Sequence, residues 1–265
     1  MNEELAAINE EYLATNEELA GSNQLLLRSN ESLQRFSYVA SHDLQEPLRK
    51  IQSFGDLVVN RYASKLGDGA EYLKRMQTAA SRMSVLIDDL LTFSRISTYQ
   101  EATTPVLLND VLTQVLTDLE LIIQETGATV NAAILPIVHG DQTQLNQLFQ
   151  NLLSNALKFS SHDTIPAISI TAEIKFANEL PAHVIPTSRV AAYHRIDIAD
   201  NGIGFDQKHV SRIFQVFQRL HGKNEFPGTG IGLAICERVV SNHGGAITAR
   251  SQPGQGAVFS VYLPV

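Results

Sequence analysis

The first 36 residues repeat a pattern of polar and apolar positions with a period of seven. Asparagine recurs at positions 2, 9, 16, 23 and 30, and a leucine or tyrosine follows each one three residues later. A spacing that averages 3.5 residues lets two helices wind around one another along a single seam. We therefore predict a dimeric coiled coil over residues 1–36, with an isolated, solvated helix as the alternative.

Residues 37–97 carry two further helical stripes on either side of a turn. Ala40, Leu44, Leu48 and Ile51 mark the first stripe, and the glycines of "KLGDGA" break the pattern at 65–70. The second stripe again steps by three and four, through Leu73, Met76, Ala80, Met83, Ile87 and Leu90. One helical hairpin has too little interior to bury both stripes, so we expect two hairpins to form a four-helix bundle across a homodimer.

A polar linker over residues 98–105 precedes a region, 106–265, in which helices and strands alternate. The predicted elements are strand 106–108, helix 109–126, strand 128–133, a short strand near 137, helix 141–159, strands 166–176 and 190–199, helices 206–214 and 230–243, and strands 246–251 and 256–263. This order predicts an α/β sandwich with helices on one sheet face. The predicted fold class is therefore multidomain, α followed by α+β.

Composition excludes several classes of function. A formal charge of −8 disfavours nucleic acid as a partner, because phosphate neutralisation needs clustered Lys and Arg. No apolar window of membrane-spanning length and no signal peptide is present, so the chain is expected to be cytoplasmic without membrane insertion. The single cysteine, Cys236, excludes an internal disulfide and a cysteine-based zinc site. A helix beginning abruptly at Met1 suggests the end of a longer signalling protein, whose sensor domain lies outside this chain.

The stretch "SHDLQEPLRK" at 41–50 contains the first candidate for chemistry. His42 lies two residues from both Ala40 and Leu44, which places it on the face opposite the apolar stripe. Asp43 can accept a hydrogen bond from one imidazole nitrogen and leave the lone pair of the other free, as a nitrogen nucleophile requires. The alternative is an exposed helical histidine without a function, and this motif alone does not decide between them.

The predicted helix 141–159 carries three polar residues along one face. Asn151, Asn155 and Lys158 are spaced by four and three, while leucines occupy most of the remaining positions. Amide oxygens suit Mg²⁺, which takes one or two protein ligands beside phosphates, and a lysine can meet a phosphate as a point charge. The alternative is an ordinary polar surface.

Two glycine runs follow. In "DIADNGIGF" (197–205), Asp200 at a strand end can accept a hydrogen bond from an exocyclic amine such as that of adenine, and Gly202 and Gly204 permit close approach. A tight turn in a sheet protein is the alternative.

In "PGTGIGLAICERVV" (227–240), Gly228, Gly230 and Gly232 open a helix whose amides can receive phosphates. Between the two runs, Arg219 lies in a segment that we interpret as a lid with Phe214 and Phe217 at its ends. A surface loop with two core phenylalanines is the alternative.

Taken in order, these motifs resemble those of the sensor histidine kinases of two-component signalling. The matching segments are "SHDLQEPLR" (H box), "NLLSNALKF" (N box), "DNGIGF" (first glycine box), "IFQVFQRL" (F box) and "GTGIGLAI" (second glycine box). "HDLQEPL" and "FQRLH" are most similar to the phytochrome-type branch. The resemblance implies a dimerisation and phosphotransfer hairpin, and an ATP-binding sandwich of the gyrase and chaperone kind.

The resemblance also implies a role for each candidate residue. His42 would be the phosphoacceptor, Asp43 its base, and the aspartate of a response regulator receiver domain the final acceptor. For Mg²⁺-ATP it implies Asn151 and Asn155 as metal ligands and Lys158 near the terminal phosphate. Asp200 would contact adenine, and Gly202 and Gly204 would shape the adenine pocket. The residues around the phosphates would be Gly228, Gly230, Gly232 and Arg219.

One residue departs from the family pattern, one connection is long, and two other functions remain open. Glu46 stands where many relatives carry the Thr or Asn needed for dephosphorylating the partner, which leaves phosphatase activity open. The connection 177–189 is longer than a plain hairpin. The alternatives to a kinase are a nucleotide-binding dimeric scaffold and a gyrase-type ATPase, although the latter uses a Glu where this chain has Asn151.

Overall fold

The computed structural model describes residues 2–62, 65–96, 103–161, 164–220, 222, 226 and 228–265. Within the first helix, the side chains of His42 and of many residues before it lie outside that description. The chain forms two compact units, Met1–Ile87 and Asp88–Val265. Among the described residues, the helices contain no apolar stretch of the length that a membrane span needs.

The first unit consists of two helices and the turn between them. Helix α1 spans Asn2–Tyr62 and helix α2 spans Gly69–Ile96, whose last nine residues belong to the second unit. In the turn, Gly67 adopts a left-handed φ of +47°, and the amide of Gly69 donates to the carbonyl of Leu66 at 2.8 Å. The predicted pair of helices around a glycine turn is therefore confirmed.

The two helices contact one another at matched distances from the turn. Gln77 Nε2 donates to Asp56 Oδ1 at 2.6 Å, while Leu48 and Ala80 are buried. Two other residues of the first apolar stripe are different, because Leu44 and Ile51 stay exposed within one chain. A single hairpin thus leaves much of its apolar surface uncovered, as its small interior predicts.

The second unit contains five helices and seven strands among its described residues after α2. They are β1 Thr104–Leu107, α3 Leu108–Asp118, α4 Glu120–Thr126, β2 Thr129–Ala132, β3 Ile137–Gly140, α5 Gln142–Lys158, β4 Ala167–Phe176, β5 Ala192–Asp200, α6 Val210–Ile213, α7 Gly232–Asn242, β6 Ala246–Ser251 and β7 Ala257–Pro264. The predicted helix 109–126 is two helices, because the backbone turns at the buried Leu119. The predicted helix 206–214 is a 3-10 turn followed by α6. Of the predicted linker 98–105, residues 98–102 lie outside the described ranges, and Thr104 and Pro105 begin β1.

A five-stranded sheet in the order β2-β4-β5-β7-β6 forms the second unit's framework. Its neighbours are antiparallel except for the parallel pair β2 and β4, and β1 pairs with β3 in a separate two-stranded sheet. Helix α5 contacts both α3 and α7, and it reaches β5. Ile170, Ile198 and Phe259 lie side by side on the core face of the sheet, which confirms the predicted α/β sandwich.

The long connection 177–189 packs on the sheet and on the turn that follows α7. Val184 is buried against Tyr193 and Tyr262, whose positions in the strands put them on the face opposite Ile198. The hydroxyl of Tyr193 donates to the carbonyl of Ser188 at 2.6 Å, and the amide of Ser188 donates to Gly244 at 2.9 Å. This segment therefore covers apolar surface that a short hairpin would leave exposed.

Candidate functional site

Helix α5 presents one apolar face to the core and one polar edge to a cavity. Its first turn is capped by Asp141, whose Oδ1 accepts hydrogen bonds from the amides of Thr143 at 2.7 Å and Gln144 at 3.1 Å. Leu145, Leu148, Leu152 and Leu153 are almost fully buried. Because this face fixes the rotation of the helix, Asn151, Asn155 and Lys158 emerge together on the opposite edge.

These three residues line a cavity of about 320 Å³ in the second unit. That volume lies within the range of sites for small organic ligands. Nine of the ten residues predicted to bind nucleotide line it: Asn151, Asn155, Lys158, Asp200, Gly204, Arg219, Gly228, Gly230 and Gly232. The tenth, Gly202, lies behind the wall, where its amide donates to Asp200 Oδ1 at 2.9 Å.

The two asparagines of α5 have different surroundings. The side-chain nitrogen of Asn151 donates to the carbonyl of Gly232 at 3.2 Å, and its oxygen accepts from Gln147 at 3.3 Å. Asn151 thereby ties α5 to the start of α7. Asn155 is half-buried, and its side-chain amide makes no hydrogen bond within the described part of the chain. This side-chain amide is therefore available to a ligand.

Lys158 places a cation in the cavity. Burial lowers the pKa of its ammonium group, and the guanidinium of Arg219 lowers it further. Its Nζ lies 4.3 Å from the centroid of the Phe159 ring and 2.6 Å from where a Cβ on Gly228 would stand. A side chain at Gly228 would displace this cation, and the φ of +150° at Gly228 is one that residues other than glycine rarely adopt.

Asp200 ends strand β5 with its carboxylate held in one orientation. Its Oδ1 accepts from the amides of Gly202 at 2.9 Å and Ala257 at 3.2 Å. Burial raises the pKa of this carboxyl, while the two amide hydrogen bonds act in the opposite direction. Its Oδ2 has no hydrogen-bond partner among the described residues, so it can accept from a ligand amine.

Close backbone packing surrounds this carboxylate. Gly204 has a φ of +61°, and a Cβ there would lie 2.2 Å from the carbonyl oxygen of Gln252. A Cβ on Gly256, whose φ is +78°, would lie 1.9 Å from the carbonyl oxygen of Asp200. Both positions combine a left-handed backbone with a backbone obstruction, so only glycine fits.

Arg219 contacts the backbone of the neighbouring loop. Its guanidinium donates to the carbonyls of Gly228, Gly222 and Phe226. The Phe226 ring lies 5.1 Å from that of Phe159 and lines the cavity. Arg219 therefore stabilises the backbone at Gly222, Phe226 and Gly228 beside the cavity, in addition to its predicted contact with phosphates.

The two predicted ends of the lid differ. Phe214 is buried, as expected, whereas Phe217 is exposed with a φ of +65°, so it does not anchor the segment through its side chain. The backbone does so instead, because the Phe217 amide donates to the carbonyl of Gly230 at 2.9 Å. The neighbouring positions 221, 223–225 and 227 lie outside the described residues.

The candidate phosphoacceptor lies in the first unit. His42 falls within α1, although its side chain is outside the described residues, and Asp43 is exposed. Glu46, the residue that departs from the family pattern, forms an exposed ion pair with Lys50 at 2.6 Å. Its carboxylate is therefore directed along the helix toward a cation one turn later.

The cavity also contains residues that the sequence did not single out. Asp89 lines it from the end of α2, and Thr229 lines it between Gly228 and Gly230. Thr229 belongs to the "GTGIGLAI" motif, so the residues around it already indicated that it lies at the site. Nothing in the local pattern around Asp89 distinguishes it from an acidic residue on a helix surface.

Two family profiles match the chain. The family described as "Histidine kinase-, DNA gyrase B-, and HSP90-like ATPase" matches residues 140–265. The "His Kinase A (phospho-acceptor) domain" matches residues 32–98. Together they span most of the chain.

Curated relatives match over 88% of the chain. They include "Phytochrome-like protein Cph1" of Synechocystis sp. at 38% identity, "Cyanobacterial phytochrome A" of Nostoc sp. at 40%, and "Sensor histidine kinase TrcS" of Mycobacterium tuberculosis at 32%. The chain spans 29%, 28% and 44% of their respective lengths, so it corresponds to less than half of each relative.

Solved structures share the fold. The structure described as "ShkA full-length in complex with AMPPNP" has a TM-score of 0.63 at 24% identity, covering 87% of this chain and 45% of that one. The "Acinetobacter baumannii histidine kinase AdeS" has a TM-score of 0.53 at 17% identity, covering 79% of this chain and 94% of that one. With the two profiles and the phytochrome relatives, the chain belongs to the sensor histidine kinases of two-component systems, in the branch of the phytochrome-like proteins.

Proposed function

We propose that the chain uses ATP to phosphorylate His42 and passes the phosphoryl group to an aspartate of a response regulator receiver domain. The observation that carries this proposal is that Asn155, Lys158, Asp200 and the glycine loop before α7 all line one cavity. These groups differ in charge and in hydrogen-bonding capacity, as the parts of a nucleotide do. The match to the phospho-acceptor domain over residues 32–98, which include His42, supports this histidine as the phosphoacceptor.

The cavity can divide ATP between its two ends. The free Oδ2 of Asp200 would accept from the exocyclic amine of adenine, and Gly204 would let the ring approach the backbone. At the other end, Lys158 and the loop at Gly228 and Gly230 would meet the phosphates. Such positioning and charge neutralisation are the main requirements of phosphoryl transfer.

Mg²⁺ fits the donors on α5. The amide of Asn155 is available, whereas the Asn151 oxygen already accepts a hydrogen bond from Gln147 and has one lone pair left. Mg²⁺ needs one or two protein ligands when phosphates and waters supply the rest. When bound, it would neutralise charge on the transferring group; Asn155 would be its principal protein ligand and Asn151 the second.

The transfer step assigns His42 and Asp43 distinct tasks. The lone pair of one imidazole nitrogen would attack the γ-phosphorus, and the bond from phosphorus to the ADP oxygen would break. Asp43 would hold the other nitrogen and accept its proton, so that ADP and phosphohistidine result. The phosphoryl group would then move to the receiver aspartate while Asp43 returns the proton to the other nitrogen, which restores neutral His42.

A homodimer is part of the proposal. Heptads over residues 1–36 and the exposed apolar positions of the hairpin, including Ile51 and Phe54, support pairing of two chains.

The test is labelling of the purified chain with γ-³²P-ATP and Mg²⁺. We expect a label that is lost in acid and stable in alkali, as a phosphoramidate should be, and that disappears in His42→Gln. His183→Gln is the matched control, because His183 is an exposed histidine on the 177–189 segment away from the cavity. Bound ATP without any label would support the scaffold instead, and steady hydrolysis unaffected by His42→Gln would support an ATPase.

A further inference from the structure

The end of helix α2 contributes an acidic side chain to the cavity. Thr229 Oγ1 donates to Asp89 Oδ2 at 2.5 Å, and it accepts a hydrogen bond from the amide of Ile231 at 3.3 Å. Asp89 is half-buried, and burial raises the pKa of its carboxyl group. Among the residues that the structure describes, the Thr229 hydroxyl is the one hydrogen-bond partner of this carboxylate. A half-buried carboxylate with one such partner is poorly compensated for the water it has lost.

The same helical end has a second attachment. Asn242 Nδ2, at the end of α7, donates to the carbonyl of Ile96 at 2.6 Å and also to Gln144 Oε1 at 3.1 Å. Ile96 is itself buried. Asp89 and Ile96 are seven residues apart, so about 10 Å of helix separates the two attachments. The segment is thus held at one point beside the glycine loop and at another beside the far end of α7.

The position of Asp89 conflicts with that of nucleotide phosphates. Thr229 lies between Gly228 and Gly230, the loop proposed to receive the phosphates, and all three residues line the cavity with Asp89. Among the described lining residues, Asp200 is the other acid, and backbone amides hold it. A carboxylate and a polyphosphate that approach the same loop repel one another in a partly desolvated cavity.

We propose that the contact between Asp89 and Thr229 is a latch, which holds the end of α2 on the glycine loop and which bound nucleotide displaces. The inference rests on the proposed function, because it needs the phosphates at Gly228–Gly230. Without nucleotide the latch is closed and the end of α2 is fixed at both attachments. With nucleotide the attachment at Asp89 is lost, so the helix around Asp89 is held less tightly, while the attachment of Ile96 to Asn242 stays in place.

The latch should reduce nucleotide affinity, because part of the binding energy is used to open it. Asp89→Ala removes both the hydrogen bond and the repulsion. We expect the full chain carrying this change to bind a non-hydrolysable ATP analogue with Mg²⁺ about five- to tenfold more tightly than wild type, the lower part of the usual coupling between linked sites. Isothermal titration calorimetry measures the affinity.

Asp88→Ala is the matched control. It removes the same charge one residue earlier from an exposed position on the same helix, and Asp88 does not line the cavity. We expect the nucleotide affinity of Asp88→Ala to stay within about twofold of wild type, because a charge exposed to solvent contributes little to binding. Equal affinities in the two variants, or weaker binding in Asp89→Ala, would overturn the latch.

Amide hydrogen exchange over residues 89–96 gives a second readout. We expect faster exchange in wild type when the analogue binds, and in Asp89→Ala already without it. Unchanged or slower exchange upon binding would contradict release. Failure of the nucleotide site has a separate signature, since then no form of the chain, wild type included, would bind the analogue.

Discussion

The two compact units differ in how their apolar side chains are covered. In the second unit, the inward face of α5 is closed by the sheet and by neighbouring helices, and Leu148 has no exposed surface. In the first unit, Ile51 is 45% exposed and Phe54 is 65% exposed, on a hairpin whose interior is narrow. The second unit can therefore be stable alone, whereas the first needs another surface to cover its stripe.

Their glycines show the same contrast. A Cβ on Gly55, in the hairpin, would meet the flexible side chain of Gln77 at 2.8 Å, which can move away. Gly204 and Gly256, beside the cavity, would meet backbone atoms that cannot move without changing the sheet. The comparison indicates that the proposed nucleotide site is built on a rigid frame and that the hairpin keeps freedom to repack.

The largest predicted effect tests the independence of the second unit. Leu148→Ala should lower its free energy of unfolding by about 3 kcal/mol, since the deletion leaves a cavity in a closed core. Urea denaturation followed by circular dichroism measures the loss. The same truncation at Leu44, which is 52% exposed, should cost less than about 1 kcal/mol in a dilute sample. Similar losses at both positions would contradict the contrast between the units.

A smaller effect is expected when the cavity changes and the core does not. Asn155→Asp replaces an available amide by a carboxylate that repels the phosphates, so Mg²⁺-ATP affinity should fall at least about tenfold, or 1.4 kcal/mol. Calorimetric titration checks this, with an unchanged melting temperature of the nucleotide-free chain.

Asn131→Asp is the control for that change. Asn131 is an exposed residue of β2 outside the cavity, so the same chemical substitution there should leave the affinity unaffected. Undiminished affinity in Asn155→Asp would show that Asn155 is not the principal protein ligand of the proposed Mg²⁺ site.

Periodicity was sufficient to predict most of the fold, because local pattern and burial agree. The spacing of Asn151, Asn155 and Lys158 put them on one edge of a helix, and the structure has them on one edge of α5. The break at Leu119 was not predictable, since the apolar pattern of 109–126 continues across it. The cover formed by 177–189 was also missed, because Val184 packs against Tyr262, 78 positions further along the sequence.

The candidate site shows the same limit. Asp200 and the glycines after it form a local turn, so their chemistry could be inferred from a short stretch of sequence. Asp89 and Thr229 are 140 residues apart, and only the packing of α2 beside the glycine loop brings them together. The need for glycine at 256 likewise arises from the carbonyl of Asp200, which no local pattern specifies.

The smallest predicted effect concerns the surface that covers the first unit. Ile51→Ala should weaken the proposed homodimer about fivefold, or by about 1 kcal/mol, because the side chain is already partly buried within its own chain. Sedimentation equilibrium over a range of concentrations measures the dissociation constant. Leu57→Ala is the control, since Leu57 is 46% exposed and lies about 120° away around the same helix. If both substitutions weakened the dimer equally, the stripe through Leu48 and Ile51 would not be the pairing surface; if neither did, the coiled coil over residues 1–36 would have to hold the two chains together alone.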